Sequence, residues 1–175
     1  MAGEFNVALM LVSNLSDRQS IVSHTLVPSM RRLWLATSHP LLHQEHITPA
    51  DLADEPYIQL LIDDAEATTS SYWREHVLKP NIVFRTESVE AVRSLIAFRN
   101  GVTILSDMMY RPWSLEGDRI EVREVVANIP TMNTGIAWRR AHELSAEART
   151  FIHVCRIEFE SGRLEARRHM PIERE

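Results

Sequence analysis

The chain has 175 residues, of which 45% are hydrophobic and 25% are charged, and its formal net charge is −5. This composition predicts one globular domain or two small lobes. The net negative charge argues against a chain that binds nucleic acid by itself, since phosphate neutralisation needs concentrated Lys and Arg. A single cysteine, Cys155, excludes an internal disulfide, and the longest apolar stretch, residues 7–12, is too short to span a bilayer, so we expect a soluble, cytoplasmic protein without a membrane partner.

Short apolar runs separated by turn residues predict strands that alternate with helices. The predicted strands cover residues 5–12, 33–37, 57–62, 82–85, 102–105, 119–126 and 135–138. Polar residues follow several of these strands where each one ends, which is typical of an open parallel sheet that binds small molecules at its strand ends. The alternation of apolar residues in 119–126 instead indicates an edge or antiparallel strand.

Capping residues and chain breaks mark the predicted helices. Thr48 and Pro49 predict a helix start, because threonine caps well and proline suits the first helical position. After a polar connector over 63–71, a second helix is predicted over 71–78. Ser88 predicts the cap of a third helix, which ends before Gly101.

The last predicted helix carries the clearest periodic pattern in the chain. Ser145 is its predicted cap, and apolar residues recur along it with helical spacing at Ala148, Phe151, Ile152, Cys155 and Phe159. From residue 161 onward the sequence is charged and lacks an apolar stripe. It therefore predicts a frayed or disordered tail over 161–175.

Several short motifs follow one another between residues 6 and 156. They are Asn6-Val7-Ala8-Leu9, His39-Pro40-Leu41, Leu52-Ala53-Asp54-Glu55-Pro56-Tyr57-Ile58, Pro80 leading to Ser88, Gly101 to Leu105, and Trp138-Arg139-Arg140. In this order they resemble the effector-binding domain of LysR-type transcriptional regulators. The family's Gly-x-Gly turn is reduced here to Arg99-Asn100-Gly101, so the geometry of that turn is open.

The resemblance implies an α/β fold of the two-lobe, type 2 periplasmic-binding-protein-like kind, with lobe one incomplete. Lobe one would combine residues 1–38 and 127–160, and lobe two would cover 39–126. In the family a small-molecule effector binds between the lobes and controls transcription through a helix-turn-helix domain, which this chain lacks. The resemblance therefore implies an N-terminally truncated sensor that forms homo-oligomers such as dimers and reaches DNA only through the missing domain.

The same resemblance implies a set of ligand-binding residues at strand ends. The candidates are Ser13, Asn14, Thr37, Asp63, Asp64, Thr68, Thr69, Ser88 and Thr103. Ser88 is the strongest, although a plain helix cap explains it equally well. Asp63 and Asp64 would favour an amine over a carboxylate if they face the ligand, and the alternative is a solvated acidic loop. Ordinary turn, strand or sheet roles are the alternatives for Ser13, Asn14, Thr37 and Thr103.

Catalysis has no residue-level support in the sequence. His39, His43 and His46 have a spacing that could gather a metal, but Pro40 interrupts the helix that this would need. Cys155 has the periodicity of a buried helix residue rather than a nucleophile. We expect no metal, no cofactor and no enzymatic activity. A solute-binding protein of the same fold and a small α/β enzyme stay open as alternatives.

Overall fold

The computed structural model describes residues 6–62 and 65–168 of the chain. Within them the strands are β1 (Ala8–Leu11), β2 (Ile21–Val27), β3 (Arg31–Ala36), β4 (Pro56–Leu60), β5 (Asn81–Thr86), β6 (Thr103–Ser106), β7 (Ile120–Arg123) and β8 (Thr134–Arg139). The helices are α1 (Pro49–Leu52), α2 (Ala65–Glu75), α3 (Val89–Ala97) and α4 (Ala146–Arg168). No helix in this part of the chain combines the length and the apolar character needed to cross a membrane.

The chain divides into two units. Unit 1 consists of Met1–Pro28 and Met132–Glu175, and unit 2 consists of Ser29–Thr131. The predicted lobes put residues 29–38 with the first unit, whereas β3 pairs on both sides with strands of unit 2. The lobe limits stay predictions.

Unit 1 is a three-stranded antiparallel sheet covered by α4. The strand order is β1-β8-β2, so the last strand of the chain lies between the first two. Leu26, Ile136 and Ile152 are buried between sheet and helix, and Cys155 packs against them. Gly135 is required in β8, because a Cβ there would lie 2.2 Å from the carbonyl oxygen of His24 on β2.

Unit 2 contains a mixed sheet rather than the expected parallel one. β4 and β5 are parallel, and β3 pairs antiparallel with β6 on one side and β7 on the other. Val102, just before β6, joins the two groups through a parallel bridge to Tyr57, giving the order β5-β4-β6-β3-β7. The parallel prediction was wrong for β3, because apolar strands buried on both faces read alike in either direction.

Helices cover both faces of this sheet. On one face Leu33, Tyr57 and Ile104 pack with Tyr72 and Trp73 of α2. On the other face Trp34, Ile58 and Leu60 pack with Val92 and Ile96 of α3. The strands of unit 2 therefore carry apolar side chains in both directions, as a sheet between two helical layers requires.

Two helices of unit 2 end in the same hydrogen-bonded turn. At the end of α2 the Leu78 amide donates to the Trp73 carbonyl (3.0 Å) and the Val77 amide donates to Arg74 (3.0 Å). At the end of α3 the Asn100 amide donates to the Leu95 carbonyl (2.9 Å) and the Arg99 amide donates to the Ile96 carbonyl (2.9 Å). Both pairs form Schellman motifs, whose αL position is occupied by Val77 (φ 58°) and Arg99 (φ 62°) instead of glycine.

Gly101 follows the α3 turn and is needed for two reasons. Its φ is 152°, which lies at the margin of the region that disfavours side chains, and a Cβ there would lie 2.4 Å from the carbonyl oxygen of Pro56. The close approach lets the Val102 amide donate to that carbonyl (2.8 Å) and start β6 beside β4. The structure thus settles the open geometry of the reduced glycine turn.

Other differences from the predicted elements have local causes. β2 was not predicted, because Ser23, His24 and Thr25 interrupt its apolar pattern. The predicted connector at 63–71 is wrong from Ala65 onward, since α2 begins there despite its Thr and Ser residues; burial of Tyr72 and Trp73 outweighs weak helix propensity.

The backbone of residues 161–168 continues α4 as far as Arg168, and the frayed or disordered tail over 161–175 stays a prediction. Glu, Leu, Ala and Arg are good helix formers, and adding residues to an existing helix costs little compared with nucleating one. Residues 169–175 lie outside the described part of the chain.

Candidate functional site

Buried polar side chains gather at one end of the unit 2 sheet. Ser106 ends β6, and by register it pairs with Arg31 at the start of β3. Gln59 precedes the last residue of β4, which is parallel to β6 through the Tyr57–Val102 bridge. The relative exposures of Ser29, Gln59 and Ser106 are 4%, 2% and 1%. We name Ser29, Arg31, Gln59 and Ser106 the polar edge.

The polar edge lies on the α2 face of the sheet. Side chains alternate along a strand, so Arg31 shares the face of Leu33, Gln59 that of Tyr57, and Ser106 that of Ile104. Those three apolar residues all belong to the core beneath α2. Polar side chains of three strands therefore continue one apolar core layer, at the start of β3 and at the ends of β4 and β6.

A pair of serines anchors the centre of the polar edge. The hydroxyl oxygens of Ser29 and Ser106 are 2.6 Å apart, and either can donate. The Met108 amide donates to both oxygens at 3.2 Å, and the Asp107 amide donates to the Met30 carbonyl at 2.9 Å. These contacts hold both hydroxyls in place, and the hydroxyl that accepts from the other keeps its own O–H free to donate.

Two tyrosines lie beneath the polar edge. The hydroxyls of Tyr57 and Tyr72 are 2.7 Å apart, and the Ile104 amide donates to the Tyr57 oxygen at 3.1 Å. Burial raises the pKa of Tyr72 well above its ordinary value, Tyr57 adds to the rise, and a hydrogen bond with Thr69 opposes it. The Tyr72 hydroxyl is therefore neutral near pH 7, and Thr69 extends the polar network along α2.

The two neighbouring arginines of β3 have different environments. Arg32 points to the other face and pairs with Asp107, its Nε lying 2.6 Å from the carboxylate oxygen. Arg31 is half-buried and donates to the carbonyl oxygen of Pro130. Within residues 6–62 and 65–168 it has no carboxylate partner. Burial lowers the pKa of Arg31, and electrostatic interactions with Tyr72 and Tyr57 partly offset this lowering.

Ser88 lies at the same end of the sheet, after β5. The prediction that it caps α3 is confirmed, since its hydroxyl accepts from the Ala91 amide at 3.2 Å. The strand ends meet there because Leu60 pairs with Thr86, whose carbonyl accepts from the Leu61 amide at 2.8 Å. Ser88 is exposed, so its hydroxyl can meet a ligand as well as cap the helix.

The other predicted ligand residues of unit 2 are scattered. Thr69 is 5% exposed on α2, and Thr68 beside it is half-buried. Thr103 is buried within the sheet, where its hydroxyl donates to the Ile58 carbonyl at 2.8 Å. Thr37 follows β3 at the end opposite the polar edge and is exposed. Asp63 and Asp64 lie outside the described residues.

In unit 1, Ser13 and Asn14 belong to a short 3-10 turn after β1. The Ser13 hydroxyl donates to the Asn14 side-chain oxygen (3.3 Å) and accepts from the Asn133 amide (3.1 Å). The side-chain oxygen of Asn133 is buried without a hydrogen-bond partner in the described part of the chain. Sequence reasoning missed Asn133, because its nearness to Ser13 depends on pairing across 120 residues.

Two cavities formed by described residues lie away from the polar edge. Open cavities of about 390 and 500 Å³ lie beside Trp73 and Leu78 at the end of α2, and beside Phe84 and Asn100 near the start of β4. Neither is lined by the polar edge. Among residues 6–62 and 65–168, no group of three His, Cys, Asp or Glu side chains is placed to hold a metal ion.

The sequence matches the family model of the LysR substrate binding domain over residues 1–160. No curated protein matches the chain significantly. Many solved structures do, and the fold class predicted from the sequence is confirmed by them. At 24% sequence identity or less, these structural likenesses show the fold alone.

Three solved structures illustrate the match. HinK, a LysR family transcriptional regulator from Pseudomonas aeruginosa, superposes with a TM-score of 0.74 at 24% identity, covering 89% of this chain and 53% of its own. The effector-binding domain of QuiR in complex with shikimate gives 0.68 at 19% identity, covering 90% and 73%. The CcmR regulatory domain of Synechocystis PCC6803 in complex with 2-PG gives 0.71 at 16% identity, covering 89% and 74%. The chain thus spans about half the length of the regulator HinK.

Proposed function

Since this chain belongs to the LysR substrate binding domain family, we propose that it is the effector-sensing part of a LysR-type transcriptional regulator. It binds a small polar metabolite and controls DNA binding or transcription through a helix-turn-helix domain outside this sequence. The observation that carries the proposal is the concentration of buried polar side chains at the polar edge. Ser29 and Ser106 are hydrogen-bonded to each other and Gln59 donates to the Leu60 carbonyl, so these buried groups are held in fixed positions from which their remaining donors and acceptors can meet a ligand.

The proposed ligand residues of unit 2 are the polar edge, Thr68, Thr69 and Ser88. Ser88 supplies a hydroxyl at the start of α3, where free amides favour polar and anionic groups. Thr69 belongs to the network that reaches Tyr72. Thr37 and Thr103 are left out, because the first lies at the opposite end of the sheet and the second is used by the Ile58 carbonyl. Asp63 and Asp64 stay proposed contacts for an amine.

For unit 1 we propose that Ser13 and Asn14 contact ligand together with Asn133. The buried side-chain oxygen of Asn133 accepts no hydrogen bond from the described residues, and the backbone amide of Asn133 already donates to the Ser13 hydroxyl. An orphan buried acceptor costs roughly 1–3 kcal/mol, so a ligand donor that pairs with it would recover part of that cost. We further propose that the protein is non-enzymatic, cytoplasmic and homo-oligomeric, and that the effector is its small-molecule partner.

A ligand screen on the complete regulator tests this function. Amino acids, aromatic acids including shikimate, and amines are screened by thermal shift, and each hit is then titrated by calorimetry and tested for its effect on promoter binding. We expect saturable binding without turnover. Chemical conversion of a hit, or binding with no effect on DNA affinity or transcription, would contradict a sensor.

A pair of serine variants tests the location of the site. Ser106→Ala removes a buried hydroxyl of the polar edge, whereas Ser114→Ala removes one that is 7% exposed and accepts from the Asp118 amide elsewhere in unit 2. Both truncations delete the same group. We expect weaker effector binding for Ser106→Ala and unchanged affinity for Ser114→Ala, and equal losses would refute the placement.

A further inference from the structure

Arg31 carries a charge that has no carboxylate partner in the described part of the chain. Its neighbour Arg32 has Asp107 as a partner, whereas no carboxylate in the described ranges 6–62 and 65–168 pairs with Arg31. Burial lowers the pKa of Arg31 from its ordinary value, yet a guanidinium remains protonated near pH 7. A half-buried positive charge without a counter-ion is unfavourable, which is the usual reason why such groups are paired.

Arg31 has N–H donors that make no hydrogen bond to the described residues. A guanidinium has five N–H donors, and in this structure one of its nitrogens donates to the Pro130 carbonyl. None of its nitrogens is among the buried atoms that lack a partner. The remaining donors are therefore not fully enclosed by the described residues, and the backbone of Arg31 pairs with that of Ser106 by register.

We propose that Arg31 holds an acidic group of the effector, and that whichever hydroxyl of the Ser29–Ser106 pair does not donate to the other donates a further hydrogen bond to it. A planar carboxylate or a phosphate matches the fork of a guanidinium, which binds such groups through two parallel hydrogen bonds. This inference rests on the proposed sensor function and adds the chemical class of the ligand. An amine, which Asp63 and Asp64 would favour, is the competing outcome.

The position of Arg31 also allows a bound ligand to affect the contact between two distant segments of the chain. Arg31 lies three residues after the segment boundary at Pro28, and its partner Pro130 lies two residues before the boundary at Met132. One side chain thus links the two segments through which the chain enters and leaves unit 2. A ligand that binds the same guanidinium changes the contact between those segments. Regulation requires such a structural difference between the bound and the free states.

The test uses the complete regulator and a defined set of probes. Benzoate, shikimate and inorganic phosphate are compared with benzamide, methyl shikimate and chloride at equal ionic strength, and stability and affinity are measured by thermal shift and calorimetry. The variants are Arg31→Met, Arg31→Lys and the control Arg32→Met, which removes the same charge from the adjacent residue on the opposite face.

We expect at least one of the three anions, but not its counterpart, to bind at millimolar concentration or below. Arg31→Met should lower the affinity for that anion by about 10-fold or more, since hydrogen bonds to charged groups contribute roughly 1.5–3 kcal/mol. Arg31→Lys should retain part of the affinity, and Arg32→Met nearly all of it. Circular dichroism of the unliganded variants checks folding, and the lysine variant carries the test if the methionine variant does not fold.

Three results would overturn the assignment of Arg31. They are the absence of binding by all three anions, an anion affinity unchanged in Arg31→Met, and an equal loss in Arg32→Met. If an amine or an uncharged compound from the wider screen binds saturably and ignores Arg31, the sensor function stands and the acidic-ligand assignment fails. If no compound of any class binds, both fail together.

Discussion

Replacing Val77 by glycine should stabilise the protein, although valine is the more hydrophobic residue. Val77 occupies the αL position that ends α2, with φ at 58°. The left-handed conformation costs an L-residue roughly 1–2 kcal/mol, and a β-branched side chain is among the least suited to it. The Val77 side chain is 91% exposed, so removing it sacrifices little buried apolar surface.

The expected gain is the relief of that strain minus the entropy cost of glycine. Glycine loses about 0.5–1 kcal/mol more than alanine on ordering, so the net stabilisation should be about 0.5–1 kcal/mol. For a chain of this size that corresponds to an increase in melting temperature of roughly 1–4 °C. The Schellman hydrogen bonds from Val77 and Leu78 are made by the backbone and remain available in the variant.

Thermal and urea unfolding of Val77→Gly and Val77→Ala measure the effect. Alanine keeps a Cβ, so it retains most of the αL cost and should fall short of glycine. Arg99→Gly is the matched variant at the same position of the α3 turn, and it should also stabilise. A glycine variant at residue 77 that is no more stable than both the parent and Val77→Ala would refute the reasoning.

Three further predictions concern the interior of unit 2. Gly101→Ala should destabilise by about 2 kcal/mol or more in urea unfolding, because its Cβ would lie 2.4 Å from the Pro56 carbonyl oxygen; an unchanged midpoint would contradict the close approach. Tyr57→Phe leaves the buried Tyr72 hydroxyl without the partner at 2.7 Å, so it should cost roughly 1–3 kcal/mol, and the double variant Tyr57→Phe with Tyr72→Phe should lose less than the sum of the single changes. The raised pKa of Tyr72 in the folded state means that the folded protein holds this proton longer than the unfolded chain does. Stability should therefore be intact below about pH 10, the ordinary tyrosine pKa, and decline above it, less steeply in Tyr72→Phe.

Local signals in the sequence were sufficient for the helix caps. Ser88 and Ser145 accept from the amides three residues later, as predicted, because a cap depends on neighbouring residues alone. The periodic pattern of α4 was a weaker guide. Ala148 and Ile152 are buried as expected, whereas Phe151 and Phe159 are 45% and 41% exposed, since periodicity identifies a helix but not the width of the surface that covers it.

The candidate site depends on contacts that no local pattern reveals. Ser29 and Ser106 are 77 residues apart in sequence, and neither was predicted to bind ligand. Arg31 was not predicted to bind ligand, because its lack of a carboxylate partner among the described residues is visible only in three dimensions. Thr37 was placed near the site because the direction of β3 is not encoded in its apolar run, and the antiparallel pairing puts its end on the other side of the sheet.

The strand order of unit 1 has a consequence for the order in which the protein folds. β1 and β2 do not pair with each other but with β8, which begins at Thr134. A ribosome therefore releases all of unit 2 before the first sheet of unit 1 can close, and domains commonly fold as they emerge. Once unit 2 has folded, its compact body replaces a long flexible loop between β2 and β8, and the entropy cost of closing that loop falls. We expect β1 and β2 to wait unpaired during synthesis, with the exposed Leu9 and Met10 available to chaperones until β8 arrives.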